Sequence, residues 1–177
     1  GLVMDGHIVN GPRGNAGAIG SMPIGRPTSG TRANTSTPAQ LLQLASGWQL
    51  EQALMAAGHE PLLVQHDTIM NPEFKAYTQP WLSQAATALA MSATSAAALL
   101  DLDAVIMDGS LNPKLLQALI QQTEASLAQF SFDGIQQPRI LAGQVGSHAR
   151  ALGGALLPLH AQFFPDKDIF LKQDEHV

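Results

Sequence analysis

The sequence predicts an α/β fold in which a mixed β-sheet carries helices packed on it. Two short, continuous apolar runs, at residues 104–107 and 140–142, have the length and the flanking turn residues of strands buried in a sheet. A segment with helical spacing of apolar residues follows each run, which gives the order strand, helix, strand, helix. A hairpin at the beginning of the chain adds antiparallel strands, so the predicted sheet is mixed.

The hairpin is the clearest local signal. Two apolar triplets, Leu2–Met4 and His7–Val9, are separated by Asp5 and Gly6, and glycine accepts the positive φ that a type I′ turn requires. The following segment, residues 13–22, contains too many glycines for a helix and lacks the Gly-Lys-Ser/Thr of a phosphate-binding P-loop. We therefore expect a loop of defined shape there.

Helices are predicted next. Residues 26–36 are rich in Thr, Ser, Pro and Gly and are expected to form a surface loop. Thr37 and Pro38 then have the residue types of a helix N-cap and a first helical position. A second short helix is predicted over residues 48–57, with Gly58 ending it.

Longer helices follow in the second half. A helical pattern starts at Asn71-Pro72 and continues to Leu100, and Pro80 predicts a kink or a new start within it. Residues 85–100 are rich in alanine, but their Thr and Ser indicate a buried helix of a soluble domain rather than a membrane span. Asn112-Pro113 begins a further helix, and residues 147–157 form the last one. The apolar face of the helix after Pro113 consists of Leu115, Leu116, Leu119, Ile120 and Leu127.

Composition limits the possible functions. The chain of 177 residues has a net charge of −5 with only nine Lys and Arg, which do not cluster, so this segment is not expected to bind nucleic acid. It contains no Cys, which excludes disulfides and thiolate metal sites and is compatible with the cytoplasm. The six His are scattered without the spacing of metal ligands. We expect a cytoplasmic protein of one domain or one large lobe.

Several motifs occur in a characteristic order: the hairpin and its glycine-rich loop, the tetrapeptide at residues 44–47, the apolar run ending in Asp108-Gly109, and the segment 151–157. In this order they resemble the C-terminal lobe of the ROK family of repressors, open reading frames and sugar kinases. The resemblance implies an RNase H-like lobe of the actin and hexokinase type. It extends over nearly all of residues 1–177 but over only about half of a family member. It implies a separate N-terminal lobe with the catalytic Asp and, in regulators, a helix-turn-helix.

The resemblance also identifies candidate ligand-binding residues. In ROK kinases the loop after the hairpin carries a Glu and a His that hold sugar hydroxyls, and a further Glu makes a third contact. The matching positions here are Ala18, Ser21 and Leu42, so three polar groups are replaced, each worth on the order of 1 kcal/mol. Asn15 and Ser21 can still make polar contacts. We therefore expect Asn15, Ala18 and Ser21 to line a site for a different sugar or sugar phosphate.

The same resemblance also leads to expectations about zinc and nucleotide binding. The family's Cys-rich zinc knuckle has no counterpart, and its zinc-binding His corresponds to Ser21, so we expect no zinc. Gly109 matches the Gly-Gly turn that approaches the adenosine of ATP, but Asp108 stands where the first Gly would be. A carboxylate near phosphates is unfavourable, which argues against ATP binding. The alternative is that Asp108 and Gly109 only turn the chain at the end of a strand.

Three functions remain open. The first is the effector-sensing and dimerising lobe of a ROK transcriptional regulator, which would bind a sugar or sugar phosphate, contact DNA only through an absent upstream domain, form a homodimer and have no membrane partner. The second is the C-terminal lobe of an ATP- and Mg²⁺-dependent sugar kinase, whose catalytic base would lie in the other lobe. The third is a scaffold without a ligand. We expect no catalytic residue in this chain and no phosphorylation of sugar by it alone.

Overall fold

The computed structural model describes residues 1–25 and 38–163, so the predicted loop at 26–36 and Thr37 lie outside the described residues. Regular structure in the described part consists of short strands and α-helices joined by turns, in the alternating order that the sequence predicts. The strands are β1 (Leu2–Met4), β2 (His7–Val9), β3 (Ala104–Met107) and β4 (Arg139–Ala142), and the helices are α1 (Leu41–Ala45), α2 (Gly47–Ala56), α3 (Lys75–Leu100), α4 (Pro113–Leu127) and α5 (Ala149–Phe163).

The strands form two separate pairs. β1 and β2 are antiparallel, and Asp5 and Gly6 both have positive φ, of 51° and 78°, as the predicted hairpin turn requires. β3 and β4 are parallel, with Ala104 opposite Arg139. The prediction of one mixed sheet was wrong in this respect, because no hydrogen-bonded ladder joins the hairpin to β3 in the described residues.

The outer edge of β3, away from β4, has no strand partner in the described residues. The carbonyl groups of Asp103 and Met107 accept hydrogen bonds from Arg139 and Gly143, which places them on the side of β4. Because backbone groups alternate along a strand, those of Ala104 and Ile106 point to the opposite side. There the strand borders an apolar groove, and the Ile106 side chain is 68% exposed.

The core lies between the helices and the β3–β4 pair. α3 packs along α4 and α1, and buried alanines on α3 allow close approach of its neighbours. Leu115, Leu119, Ile120 and Leu127 of α4 are buried as predicted, and Leu116 is half-buried. Phe74 and Trp81 belong to this core, and Tyr77 is half-buried against it.

Two predicted helix starts need correction. α1 begins at Leu41 and not at Pro38, because the chain just before it pairs with an earlier segment: Ile24 N donates to Ala39 O at 2.6 Å, and Ala39 N donates to Gly25 O at 3.0 Å. This pairing holds Pro38 and Ala39 outside the helix.

α3 is one helix and does not restart at Pro80. Proline removes a single N–H donor, whereas Trp81 and Leu82 immediately after it are anchored in the core, so packing outweighs the lost hydrogen bond. The helix begins at Lys75; at the start predicted from Asn71-Pro72 the chain forms a 3-10 turn over Pro72–Phe74, which leads directly into α3. Within residues 1–25 and 38–163, no helix combines the length and apolarity needed to cross a bilayer.

Candidate functional site

A groove of about 510 Å³ connects the two regions that the sequence singles out. Ile19 and Gly20 line it at the glycine-rich loop, and Asp108 and Gly109 line it after β3. Its walls between these points are formed by α1, α2, β3 and the beginning of α4. The remaining lining residues are Leu41, Leu42, Ala45, Ser46, Gly47, Trp48, Glu51, Val64, Leu89, Val105, Ile106, Met107, Ser110, Leu111, Leu116 and Leu119.

The glycine-rich loop has a fixed backbone path. Gly17 has φ of +70°, and a Cβ at this position would overlap the backbone of Gly1 and Leu2, so the loop packs directly on the first strand. Backbone hydrogen bonds then close a 3-10 turn: Ser21 N donates to Ala18 O at 3.0 Å, and Met22 N donates to Ile19 O at 2.9 Å. The predicted shaped loop is confirmed.

Contacts with α1 fix the loop from the other side. Leu41 N donates to Met22 O at 2.9 Å, and a Cβ built on Gly20 would lie 3.7 Å from the Cβ of Leu42. The structure therefore brings Leu42, the position of the family's third sugar contact, next to the loop. The Leu42 side chain is 61% exposed and has no polar group to offer a sugar.

The junction of α1 and α2 is held by two further contacts. Trp81 Nε1 of α3 donates to Ser46 O at 3.0 Å. Gly47 lies so close to Leu111 that a Cβ on it would approach Leu111 Cδ2 to 2.9 Å. Glycine at the first residue of α2 thus lets the loop after β3 pack against the helix, and this packing forms one wall of the groove.

The three predicted sugar-binding residues do not line one cavity. Asn15 and Arg13 line a separate cavity of about 490 Å³ together with the residues around Gly11 and Ala16. Ala18 and Ser21 are exposed on the 3-10 turn and do not line the groove, although Ile19 and Gly20 between them do. The contacts of Asn15, Ala18 and Ser21 with a sugar therefore stay predictions.

The Asp108 carboxylate joins the ends of the two parallel strands. It accepts hydrogen bonds from the N–H of Gly109 at 2.8 Å, Val145 at 3.1 Å and Gly146 at 3.0 Å. A Cβ on Gly143, directly after β4, would collide with this carboxylate. Asp108 thus does more than turn the chain off β3: it ties the turn after β3 to the turn after β4.

A third cavity, of about 600 Å³, adjoins this connection. It lies between the same two turns, and Gly109 and Ser110 line both this cavity and the groove. Among the described residues that line the groove, Glu51 and Asp108 are charged and none is Lys or Arg. Phosphate groups in the groove would therefore meet negative charge. The described residues that line this third cavity are Gly109, Ser110, Gly146, Ser147, Ala149 and Ala151.

Sequence reasoning missed two residues of the groove. Trp48 and Glu51 lie one turn apart on α2 and line the groove together, with the Trp48 side chain 58% exposed. The available signal was a large aromatic residue and a carboxylate at i and i+3 on a short helix, which places them on one face. An aromatic ring beside a carboxylate suits a hydroxylated, uncharged ligand, which can stack on the ring and donate to the carboxylate.

A hydrogen-bond network supports the turn after β3. Asn112 Oδ1 accepts from the N–H groups of Lys114 and Leu115 at the start of α4, and its Nδ2 donates to Asp67 Oδ1 at 2.7 Å. The hydrogen bond from Asn112, together with the positive charge of Lys114 at 3.4 Å, lowers the pKa of Asp67. Asn112 thus caps α4 and ties it to the segment before α3.

Among the described residues, no group of three or more His, Cys, Asp or Glu side chains could hold a metal ion. The expectation that the chain binds no zinc stays a prediction. Gly109, the candidate nucleotide-binding residue, lies where the loops after two parallel strands meet, a common position of ligand sites in α/β proteins.

Comparisons with known proteins agree with the resemblance. The ROK family model matches residues 1–161. A ROK hexokinase from Thermus thermophilus has 22% sequence identity and a TM-score of 0.57, and the match covers 88% of this chain and 51% of the hexokinase. A ROK family protein from Streptococcus pneumoniae TIGR4, solved in complex with sucrose, has 20% identity and a TM-score of 0.64, with 90% of this chain and 53% of that protein covered. The comparison with curated proteins found no match.

The chain spans about half the length of both solved structures. At these identities the likeness establishes the fold alone, the actin-like fold of ROK proteins, to which the described residues contribute two pairs of strands. Because the family model matches residues 1–161 of the 177-residue sequence, the chain belongs to the ROK family.

Proposed function

We propose that this chain is the effector-sensing lobe of a sugar-responsive ROK transcriptional regulator. The observation that carries the proposal is the groove between the glycine-rich loop and the Asp108-Gly109 turn, whose lining is mainly apolar and includes two carboxylates but no described Lys or Arg. Such a lining suits an uncharged sugar better than the phosphates of a nucleotide. A sensor has to bind its ligand without transferring a phosphoryl group.

The residues at the family's sugar positions support the same proposal. Ala18 and Leu42 have no polar side-chain atom, and Ser21 has a shorter side chain than the family's His. A ligand would then be held chiefly by Trp48 and Glu51, which both line the groove. These replacements would give a sugar specificity different from that of the family's kinases, and of the sugar and sugar phosphate expected from the sequence, the groove lining favours the uncharged sugar.

We further propose that the chain is one lobe of a longer polypeptide and that a homodimer forms through it. Both matched structures are about twice as long as the matched region, and the outer edge of β3 leaves Ile106 exposed beside the groove. An apolar strand edge of this kind is normally covered in a complete protein. DNA contacts would come from a helix-turn-helix elsewhere in that polypeptide.

A sugar kinase lobe is the second candidate, and one observation favours it: one of the matched structures is a hexokinase. In that case ATP and Mg²⁺ would be required, and the catalytic base would lie in another lobe. The two candidates differ in a measurable way. A kinase binds sugar and ATP together and produces a sugar phosphate, whereas a sensor is stabilised by sugar alone.

The experiment is a thermal-shift series on the longest polypeptide that carries this chain. Neutral sugars, sugar phosphates and ATP with Mg²⁺ are added singly and in pairs, since a ligand that binds only the folded state raises its stability. Stabilisation by a sugar or sugar phosphate without ATP supports the sensor. Production of ADP that depends on added sugar would refute the sensor and support the kinase. If no ligand stabilises the protein, the remaining candidate is a scaffold without a ligand.

A further inference from the structure

We propose that Asp108 is a specificity-determining residue. Its carboxylate accepts hydrogen bonds from the backbone N–H groups that follow β3 and β4, and it thereby keeps other anions out of the adjoining 600 Å³ cavity. The cavity would then accept only an uncharged part of a ligand. This inference concerns the site of the proposed function and rests on it only in that a ligand enters there.

The donors converge on one point. The N–H groups of Gly109, Val145 and Gly146 all point at the Asp108 carboxylate, and Gly146 N lies 3.0 Å from one of its oxygens and 3.2 Å from the other. Three backbone donors from two turns resemble the arrangement that binds phosphate or carboxylate groups in other proteins. Here the anion belongs to the chain itself.

The fit of the carboxylate depends on Gly143. The space that a Cβ would occupy on this residue is taken by the side chain of Asp108, which can therefore reach the far turn. Both carboxylate oxygens accept hydrogen bonds from the two turns, Oδ1 from Gly109 and Gly146 and Oδ2 from Val145 and Gly146. A ligand anion would have to displace Asp108 from these donors or approach it without any of them.

The chemistry of the cavity agrees with this role. A second anion placed there would be repelled by the Asp108 carboxylate. Ser110 and Ser147 supply the cavity with side-chain hydroxyl groups, which both donate and accept hydrogen bonds. Hydroxyls and backbone groups suit an uncharged ligand that carries its own hydroxyl or amide groups.

Anion rescue tests the inference. Asp108→Gly removes the carboxylate and leaves its three donors free, so added inorganic phosphate should occupy them and stabilise the variant. Asp103→Gly is the matched control, because Asp103 precedes β3 as Asp108 follows it, and its side chain makes no hydrogen bond within the described residues. Thermal unfolding of both variants and the unaltered chain is followed in phosphate and in chloride at equal ionic strength.

The expected result is a saturable rise in Tm of about 3 °C or more for Asp108→Gly at 100 mM phosphate, relative to the other two proteins. An equal response of all three proteins, or none in any of them, would overturn the inference. If Asp108→Gly does not fold, Asp108→Asn is used, which keeps one acceptor oxygen. Its Val145 and Gly146 amide resonances should then shift on addition of phosphate, while those of the unaltered chain stay in place; equal behaviour of both would likewise overturn it.

This test is separable from that of the proposed function. Sugar binding is measured on the unaltered chain, whereas anion rescue is measured on the variants without sugar. Rescue without any sugar binding would retain the role of Asp108 and refute the sensor. Sugar binding without rescue would retain the sensor and refute the role of Asp108.

Discussion

Replacing Asn112 should destabilise the fold behind the groove, and the structure allows the effect to be worked out. Asn112 is 2% exposed, and its Oδ1 accepts from Lys114 N at 2.9 Å and from Leu115 N at 3.3 Å. Asn112→Ala removes this helix cap and leaves the buried N–H of Leu115 without a partner, for a loss of about 2 kcal/mol. In a chain of this size, that loss lowers Tm by about 4–8 °C.

Asn112→Ser separates the two parts of the effect. Serine keeps an acceptor for the cap but is too short to donate to Asp67, so this variant should be intermediate in stability. Urea unfolding followed by far-UV circular dichroism gives the free energies. The reasoning is refuted if Asn112→Ala unfolds within about 0.3 kcal/mol of the unaltered chain, a difference too small for a lost buried cap.

Acid should reduce the difference between Asn112→Ser and the unaltered chain. The hydrogen bond from Asn112 and the charge of Lys114 lower the pKa of Asp67 in the folded state. A carboxyl group with a lowered folded pKa adds stability at pH above its unfolded value and loses it as pH falls through the folded value. The difference in unfolding free energy between the two proteins should therefore be largest at pH 7 and should decrease below a pH of about 4. A difference that is constant down to pH 2 would contradict this role of Asp67.

Three further predictions concern the core, the loop and the groove. Leu115→Ala should cost about 2–5 kcal/mol in urea unfolding, because Leu115 is fully buried, whereas Leu99→Ala at an exposed site should cost under about 0.5 kcal/mol; equal losses would contradict the assigned core. Gly17→Ala should lower Tm more than Gly14→Ala, since both residues have φ of +70° but only Gly17 has no room for a Cβ. Similar Tm values for the two variants would contradict the packing of the loop on Gly1 and Leu2. Trp48→Ala should leave Tm nearly unchanged and weaken sugar binding at least about tenfold by calorimetry, and unaltered affinity would exclude Trp48 from the site.

Local signals predicted most elements of this fold. The Asp5-Gly6 turn, the Asn112-Pro113 helix start and the apolar run Ala104–Met107 each act over a few residues, so composition and spacing were sufficient. The errors arose where distant residues decide the outcome. Pairing of residues 23–25 with 39–40 delays α1, and burial of Trp81 in the core carries α3 through Pro80.

The site was predicted less completely for the same reason. Family resemblance indicated Gly109 and the glycine-rich loop, and the groove does connect them. The role of the Asp108 carboxylate could not be predicted, because two of its three donors, Val145 and Gly146, lie 37 and 38 residues further along the chain. Trp48 was missed because a single exposed aromatic residue on a helix does not indicate a groove until its neighbours are placed.

Calorimetric titration of the longest polypeptide that carries this chain, with neutral sugars in the absence and presence of ATP and Mg²⁺, tests the proposed function most directly. We predict that a sugar binds with the same affinity whether or not ATP is present, and that no sugar phosphate forms. Sugar-dependent release of ADP, or sugar binding that requires ATP, would contradict the proposal and establish a kinase.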